Sequence, residues 1–443
     1  MAQDLDSLFH AHLAEIARRT DAALAAHGFD AIAIYSGSAG YSFLDDRTYP
    51  FRANPHFKHW VPLTDVQQSF VAYVPGDAPL LLFHQPADYW HKPPAVPTDA
   101  WVGRFRLEVL RDPAEARGRL PLAGRRVAFV GEWQAAFDDW GFAATNPPGL
   151  LNQLHYDRAV KTPYEIECVR RASVMAARGH VAARDAFRAG ASEFEAHLAY
   201  CAAAGQREEA LPYGNIVAFD EGAAVLHYQH LGRERGPRRS FLIDAGAEFL
   251  GYAADITRTH AAQDGEFAAL IDAMDSLQLR LCDAIRSGTD YREVHLLAHR
   301  LIGGLLAEAG IIDCPADEAV ATGLTSVFFP HGIGHLLGLQ VHDVAGLARD
   351  ASGGEIPRPA GHPYLRLTRR LEPGFVVTVE PGIYFIDLLL DAARAGAHAR
   401  RIRWSAVERL RPYGGIRIED DVACTAGAPE NLTRDAFAAL SPS

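Results

Sequence analysis

Phe241-Leu242-Ile243-Asp244-Ala245-Gly246 leads through residues 248–251 into Tyr252-Ala253-Ala254-Asp255-Ile256-Thr257. Two apolar runs on either side of a glycine-containing turn read as a β-hairpin. With the turn on Phe249-Leu250 and no bulge, Asp244 and Asp255 face each other across it. Directly opposed residues have Cβ atoms about 4.5–5.5 Å apart, and like charges there are destabilising. Two aspartates in apolar surroundings make a poor core unless a cation lies between them. In the competing reading one aspartate caps a turn and the other pairs with Arg258.

Further along the chain lies His331-Gly332-Ile333-Gly334-His335, followed by His342-Asp343. Three histidines within twelve residues favour a metal or acid–base site over structural packing. The glycines are expected to let backbone approach a ligand closely. The segment lacks the Lys-Ser/Thr of a phosphate loop. In Thr378-Val379-Glu380-Pro381-Gly382 a glutamate ends an apolar strand beside a turn. In Gly415-Ile416-Arg417-Ile418-Glu419-Asp420, strand alternation puts Arg417 and Glu419 on one face. Taken singly, these fragments read as a surface carboxylate and a surface salt bridge. Together, two Asp, two Glu and one His need about two divalent cations. Oxygen-rich ligation with one imidazole suits Mn²⁺ first, then Co²⁺, Fe²⁺ or Zn²⁺. Two such ions about 3.5–4 Å apart supply a hydroxide nucleophile and polarise a carbonyl.

The rest of the chain sets bounds on this reading. It has 443 residues, 49% hydrophobic and 22% charged, the composition of a globular protein with ample core. Its 43 Lys and Arg against 55 Asp and Glu give a formal charge of −12, which disfavours nucleic acid and anionic membranes as partners. The first residues lack a positive start followed by an apolar block, so no secretory signal is expected. No run approaches the roughly 20 apolar residues of a membrane span. Cys168, Cys201, Cys282, Cys314 and Cys424 are scattered without a CxxC pair, which predicts reduced thiols and a cytoplasmic location.

Residues 4–27 carry apolar positions at helical spacing, and Gly28 stops them. Strands are expected at 31–35 and 126–130, with a hairpin of 69–74 and 80–83 around Pro75-Gly76-Asp77. Asn146-Pro147-Pro148-Gly149 breaks the pattern. Thr162-Pro163-Tyr164-Glu165 then has the cap, the N1 proline and the acidic residue of a helix start. A second helix is expected near 193–204, and β-type runs near 215–220, 240–260, 375–385 and 415–424. The expectation is a smaller mixed α/β domain, residues 1–158, followed by an α+β domain, residues 159–443.

The order Asp244, Asp255, His335, Glu380, Glu419, with the residues flanking each, resembles the metallopeptidase family of the pita-bread (creatinase/aminopeptidase-like) fold. The resemblance implies that these five residues bind two metal ions, with Asp255 and Glu419 bridging both. His335 is the implied imidazole ligand, because His342 follows it at the family's ligand-to-catalytic-histidine distance. Glu380 would also handle the proton of the attacking water, and His342 would bond the substrate carbonyl or the tetrahedral intermediate. His227, in Leu226-His227-Tyr228, matches the other active-site histidine. Within the family, Gly334, His362-Pro363-Tyr364-Leu365-Arg366 and the insertion 384–415 resemble the bacterial prolidases and the similar organophosphorus acid anhydrolases. That implies metal-dependent hydrolysis of Xaa-Pro dipeptides in a homodimer, with a side activity on organophosphate triesters. The alternatives are an aminopeptidase P and, more remotely, a non-catalytic binding module. For the dipeptide carboxylate Arg366 is the first candidate and Arg417 the second. His331 and Tyr213 are expected to line the pocket, and in the implied homodimer an N-terminal loop with Asp45 and residues 54–60 would line the pocket of the partner subunit.

Overall fold

The computed structural model describes residues 4–440. The chain divides into two compact units. One comprises the chain up to Arg158 together with Thr162–Glu167 and Asp350–Gly354; the other holds the rest.

The N-terminal unit opens with a helix, Leu5–His27, capped by the Asp4 side chain and ended by Gly28 at φ 69°. Its six-stranded sheet runs, in spatial order, Arg106–Leu110, Leu80–His84, Phe70–Tyr73, Ala31–Tyr35, Val127–Val130, Ala144–Thr145. The hairpin of Phe70–Tyr73 and Leu80–His84 is antiparallel, as its turn requires. Ala31–Tyr35 pairs parallel with Val127–Val130. Phe70, Phe129, Phe137 and Trp140 fill one face of the sheet. The prolines at 147–148 do not only break structure. Pro148 opens a helix, Pro148–Arg158, because a proline in the first turn has no backbone hydrogen bond to lose.

The C-terminal unit is α+β, and long helices enclose its strands. Pro163–Arg188 begins where Thr162 and Glu165 bond each other's backbone N–H groups. Ser192 and Glu195 form a full capping box on Glu193–Ala204. The main core gathers apolar residues from Glu266–Cys282, Tyr291–Glu308 and Val376–Val379. The segment 384–415 folds as short helices, Asp387–Ala395 and Trp404–Leu410 among them.

Two antiparallel ribbons position the carboxylates. The first joins Ser240–Asp244 and Glu248–Phe249 to Tyr252–Ala253 and Thr257–Ala261 in one register. Between the strands the same register continues through Ala245 N–H to the Ile256 carbonyl and Ala254 N–H to the Ala247 carbonyl, each 2.9 Å. The turn falls on Leu250-Gly251, both at positive φ (50° and 91°), the geometry of a tight hairpin turn. The turn therefore lies one residue later than expected. Asp244 faces Thr257, and Asp255 lies diagonally from Asp244 rather than opposite it. The second ribbon joins Val376–Val379 and Gly382–Tyr384 to Gly415–Arg417 and Asp420–Ala423. Val379 against Asp420 and Gly382 against Arg417 set Glu380 opposite Glu419.

Candidate metal centre and active site

The two ribbons meet where Thr257 bridges Glu419. Glu419 N–H bonds the Thr257 carbonyl at 3.0 Å, and the Thr257 hydroxyl donates to Glu419 Oε2 at 2.6 Å. Arg417 braces the junction. Its guanidinium donates to Asp244 Oδ2 at 2.7 Å, to the Tyr384 hydroxyl at 2.9 Å and to Thr257 Oγ1 at 3.2 Å. Arg417 is buried and fully engaged, so its geometry is that of a positioning residue and not of a free clamp for a substrate carboxylate.

The histidine segment has no regular strand, yet it is fastened to both ribbons. Ala253 N–H bonds the Gly338 carbonyl at 2.9 Å. Thr378 N–H bonds the His335 carbonyl at 3.0 Å, and Glu380 N–H bonds the Ile333 carbonyl at 2.9 Å. Gly334 lies so close to the second ribbon that a Cβ would collide with the Thr378 carbonyl and the Tyr291 hydroxyl. Gly334 also lines the cavity beside the carboxylates, and its lack of a Cβ admits the strand as well. Its service to the site is to bring the next residue, His335, against the carboxylates.

His335 is buried, and its Nδ1 donates to the Leu336 carbonyl at 3.0 Å. A carbonyl only accepts, so the neutral ring presents its Nε2 lone pair forward. That Nε2 lies 3.4 Å from Asp255 Oδ2 and 4.0 Å from Glu380 Oε1. Asp255, His335 and Glu419 present donor atoms within 4.8 Å of one another. Tyr213 OH lies 2.7 Å from Asp244 Oδ1 and 2.6 Å from Asp255 Oδ1. One hydroxyl proton cannot serve both oxygens at once. Tyr213, expected to line the substrate pocket, thus sits between the two aspartates as a spacer.

The electrostatics show what the cluster lacks. Burial raises Asp244 against the pull of Arg417, and Asp255 adds to the rise. Burial also pushes Glu380 up to about 7, with Asp255 and Asp244 opposing His335 and Arg417. Burial, then Asp255 and Glu380, drive Glu419 well above the carboxylate range. Asp255 alone is held low, because His335 and Tyr213 outweigh its burial. Four carboxylates face one permanent positive charge, that of Arg417, beside the His335 imidazole. Added divalent cations relieve that imbalance, and the oxygen-rich donor set with one imidazole fits them.

These side chains form one wall of a cavity of about 550 Å³. His331 and His342 also line it, as do Arg358 and Arg366. His331 Nε2 contacts the Tyr384 hydroxyl at 2.8 Å, and its Nδ1 lies 3.6 Å from Glu380 Oε2. The exposed His342 ring crosses His335 edge-on, with centroids 4.4 Å apart. His227 is exposed and also lines the cavity. Among the described residues the exposed Arg366 guanidinium makes no hydrogen bond or ion pair.

The segment 54–60 lies in the N-terminal unit. Pro55–Trp60 is a short helix with Phe57 and Trp60 buried inside the N-terminal unit. Asp45 lies on an exposed turn of that unit, between Phe43 and Leu44 and the Arg47 N–H it accepts. Sequence reasoning missed Tyr384, Arg358 and Asp421. Asp421 accepts the Asp255 N–H at 3.1 Å and so fixes that strand. Its signal was its place two residues beyond Glu419, on the same strand face. Tyr384 and Arg358 gave none, because contacts across elements leave no spacing to read.

A pita-bread unit with two carboxylate-bearing ribbons and a buried histidine defines the class: this chain belongs to metallopeptidase family M24, whose family model matches residues 167–426. Residues 7–156 match the model described as the Xaa-Pro dipeptidase N-terminal domain. Over 441 residues, 99% of both chains, the sequence is 53% identical to an Xaa-Pro dipeptidase of Stenotrophomonas maltophilia (strain K279a). It is 52% identical to an Xaa-Pro dipeptidase of Xanthomonas euvesicatoria pv. vesicatoria over 436 residues, 98% of each. Among solved structures it resembles aminopeptidase P from E. coli (TM-score 0.74, 25% identity, 96% of this chain and 95% of that one). It also resembles Pseudomonas aeruginosa aminopeptidase PepP (TM-score 0.71, 25% identity, 96% and 98%).

Proposed function

We propose that this metallopeptidase is a dinuclear-metal dipeptidase that hydrolyses Xaa-Pro dipeptides. The observation that carries the reading is the convergence of Asp244, Asp255, His335, Glu380 and Glu419 on one cavity wall with too little positive charge among them. These five residues would hold two divalent ions, manganese first. When bound, the ions polarise the scissile carbonyl and make water a nucleophile near neutral pH.

The chain's own residues do the rest. Glu380 takes the proton of the attacking water and returns it to the proline nitrogen. His342 and His227, both exposed on the cavity, donate to the oxygen that gains charge. His331 is held by Tyr384 and closes the floor beside Glu380. Arg366 receives the substrate carboxylate, which sets the length of an acceptable peptide at two residues. Full-length likeness to two Xaa-Pro dipeptidases supports this choice over an aminopeptidase P. Presence of all five ligand-type residues supports an enzyme over a binding module.

The test is hydrolysis of Gly-Pro and Leu-Pro beside Ala-Pro-Ala, with Mn²⁺ and then with a chelator. Cleavage of the dipeptides alone, abolished by chelation, is expected. Cleavage of the tripeptide would move the assignment to an aminopeptidase P. The same nucleophile would attack a phosphotriester, and metal-independent turnover of such an ester would sink that side activity.

Among the described residues no helix is long and apolar enough to cross a membrane, in keeping with the proposed cytoplasmic location. The proposed homodimer has support in the N-terminal unit. Phe43 and Leu44, each 90% exposed, flank Asp45 on a surface suited to a partner subunit. Sedimentation at twice the chain mass is the expected result.

A further inference from the structure

A second cluster of metal-ligand type lies outside the carboxylate centre. His295 and His299 sit one turn apart on Tyr291–Glu308 and project from the same face of the helix. His362 approaches them from the loop that precedes Pro363, Tyr364 and Arg366. The three rings meet with centroids 4.4 to 4.7 Å apart. One nitrogen from each lies within 4.8 Å of the other two.

The polar groups of this cluster are not satisfied by the protein. His295 and His299 are each only 1% exposed. Neither nitrogen of His295 has a hydrogen-bond partner, and neither does Nε2 of His299. A buried polar atom without a partner costs about 1–3 kcal/mol. Three such atoms in one small volume therefore call for something that the chain itself does not provide. His299 is oriented for the task, since its Nδ1 bonds the Thr325 hydroxyl at 2.8 Å and leaves Nε2 facing the cluster. A second hydrogen bond of this kind characteristically orients a metal-ligating imidazole. Phe329 covers His299 at 4.9 Å between centroids and keeps the far side apolar.

We propose that His295, His299 and His362 form a mononuclear site for a late first-row divalent ion, zinc first, distinct from the carboxylate centre. Three neutral imidazoles and no carboxylate select a softer ion than the oxygen-rich site does. Burial keeps His295 and His299 uncharged at neutral pH, at about 2 and about 3. Zn–N bonds are about 2.0–2.1 Å, so the rings would close on the ion, the half-buried His362 moving most. His362 is only half-buried, so the ion enters from its side and a water completes the tetrahedron. The ion fastens the 362–366 loop to the helix and so fixes Arg366, two residues beyond Tyr364, at the edge of the cavity.

The test compares zinc stoichiometry in the full-length wild type with that in His362→Asn and His295→Phe. Each is dialysed against Zn²⁺ alone, desalted, and counted by elemental mass spectrometry. The wild type is expected to hold one equivalent more than either variant. Cobalt substitution should add intense tetrahedral absorption bands to the wild type that both variants lack. Equal metal counts in the wild type and His362→Asn would overturn the site. So would an extra equivalent that survives in both variants. If His295→Phe fails to fold, His362→Asn still decides, because its position is on a half-exposed loop. The comparison holds whatever the carboxylate centre binds, since neither substitution touches that centre.

Discussion

The two ribbons that build the centre are alike in plan and unlike in charge. Each is antiparallel, and each loses regular pairing where its carboxylates sit. On the aspartate ribbon the acidic residues are diagonal, and each has a protein partner, although burial still raises Asp244. Arg417 reaches Asp244 at 2.7 Å, and His335 approaches Asp255 at 3.4 Å. On the glutamate ribbon Glu380 and Glu419 are directly opposed, and both are pushed up by burial and by their acidic neighbours. Arg417 belongs to the glutamate ribbon, yet it directs its guanidinium at the other one. The protein thus supplies partners to one pair of proposed ligands and leaves the second pair to be stabilised by what binds there.

This difference predicts unequal penalties. Glu419→Gln should lower kcat/KM by roughly 10³-fold or more, since no protein group replaces the lost ligand. Asp244→Asn should cost clearly less, because it also frees Arg417 from its ion pair. Steady-state kinetics at saturating Mn²⁺ measure both. An equal loss in the two variants would erase the distinction between the ribbons.

Stripping the metal tests the same asymmetry through stability. At an ion concentration one hundredfold above Kd, binding stabilises the fold by about 2.7 kcal/mol per site. Chelation should therefore lower the midpoint of a urea melt. The metal-free Glu380→Gln/Glu419→Gln double variant should be more stable than the metal-free wild type, as the burial cost and mutual repulsion that raise both carboxyls are gone. A double variant less stable than the wild type would show that the glutamates are not repelling each other.

Arg417→Met comes next in size. It removes no proposed ligand but leaves Asp244 without its charged partner and Tyr384 without a donor. Groups that orient metal ligands typically cost 10–100-fold in metal affinity when removed. Metal titration of the stripped variant measures this, and unchanged affinity would return Arg417 to the role of a substrate contact.

Much of this was legible in the sequence, and the failures are instructive. Helix starts were readable at Thr162 and at residues 193–204, because capping is local chemistry. The carboxylate set was readable because buried acids stand out in apolar strands. The aspartate register was missed by one residue at the turn. Leu250 adopts a positive φ that its side chain does not advertise, and the glycine that follows permits it. Arg417 was legible as a charge beside Glu419, but its partner lies 173 residues earlier in the chain. The histidines at 295, 299 and 362 were invisible for the same reason. The first two look like one polar face of a helix until the fold delivers the third.

Tyr213→Phe probes the finest feature of the comparison. Tyr213 is the only described group within hydrogen-bond distance of both aspartates, and the glutamate ribbon has no counterpart. Its hydroxyl is held fully protonated, since burial and the flanking carboxylates raise it well above the usual phenol range. It therefore acts as a neutral donor that keeps the diagonal aspartates at a set separation. A neutral donor is weaker than the charge-assisted bond of Arg417, roughly by half. Tyr213→Phe should accordingly weaken metal binding by about tenfold, the lower end of the range for orienting groups. KM for the dipeptide should hardly move, because the ring stays in place and no substrate contact is lost. A rise in KM with unchanged metal affinity would put Tyr213 in the substrate pocket instead, and the aspartate ribbon would then owe its geometry to Arg417 and Asp421 alone.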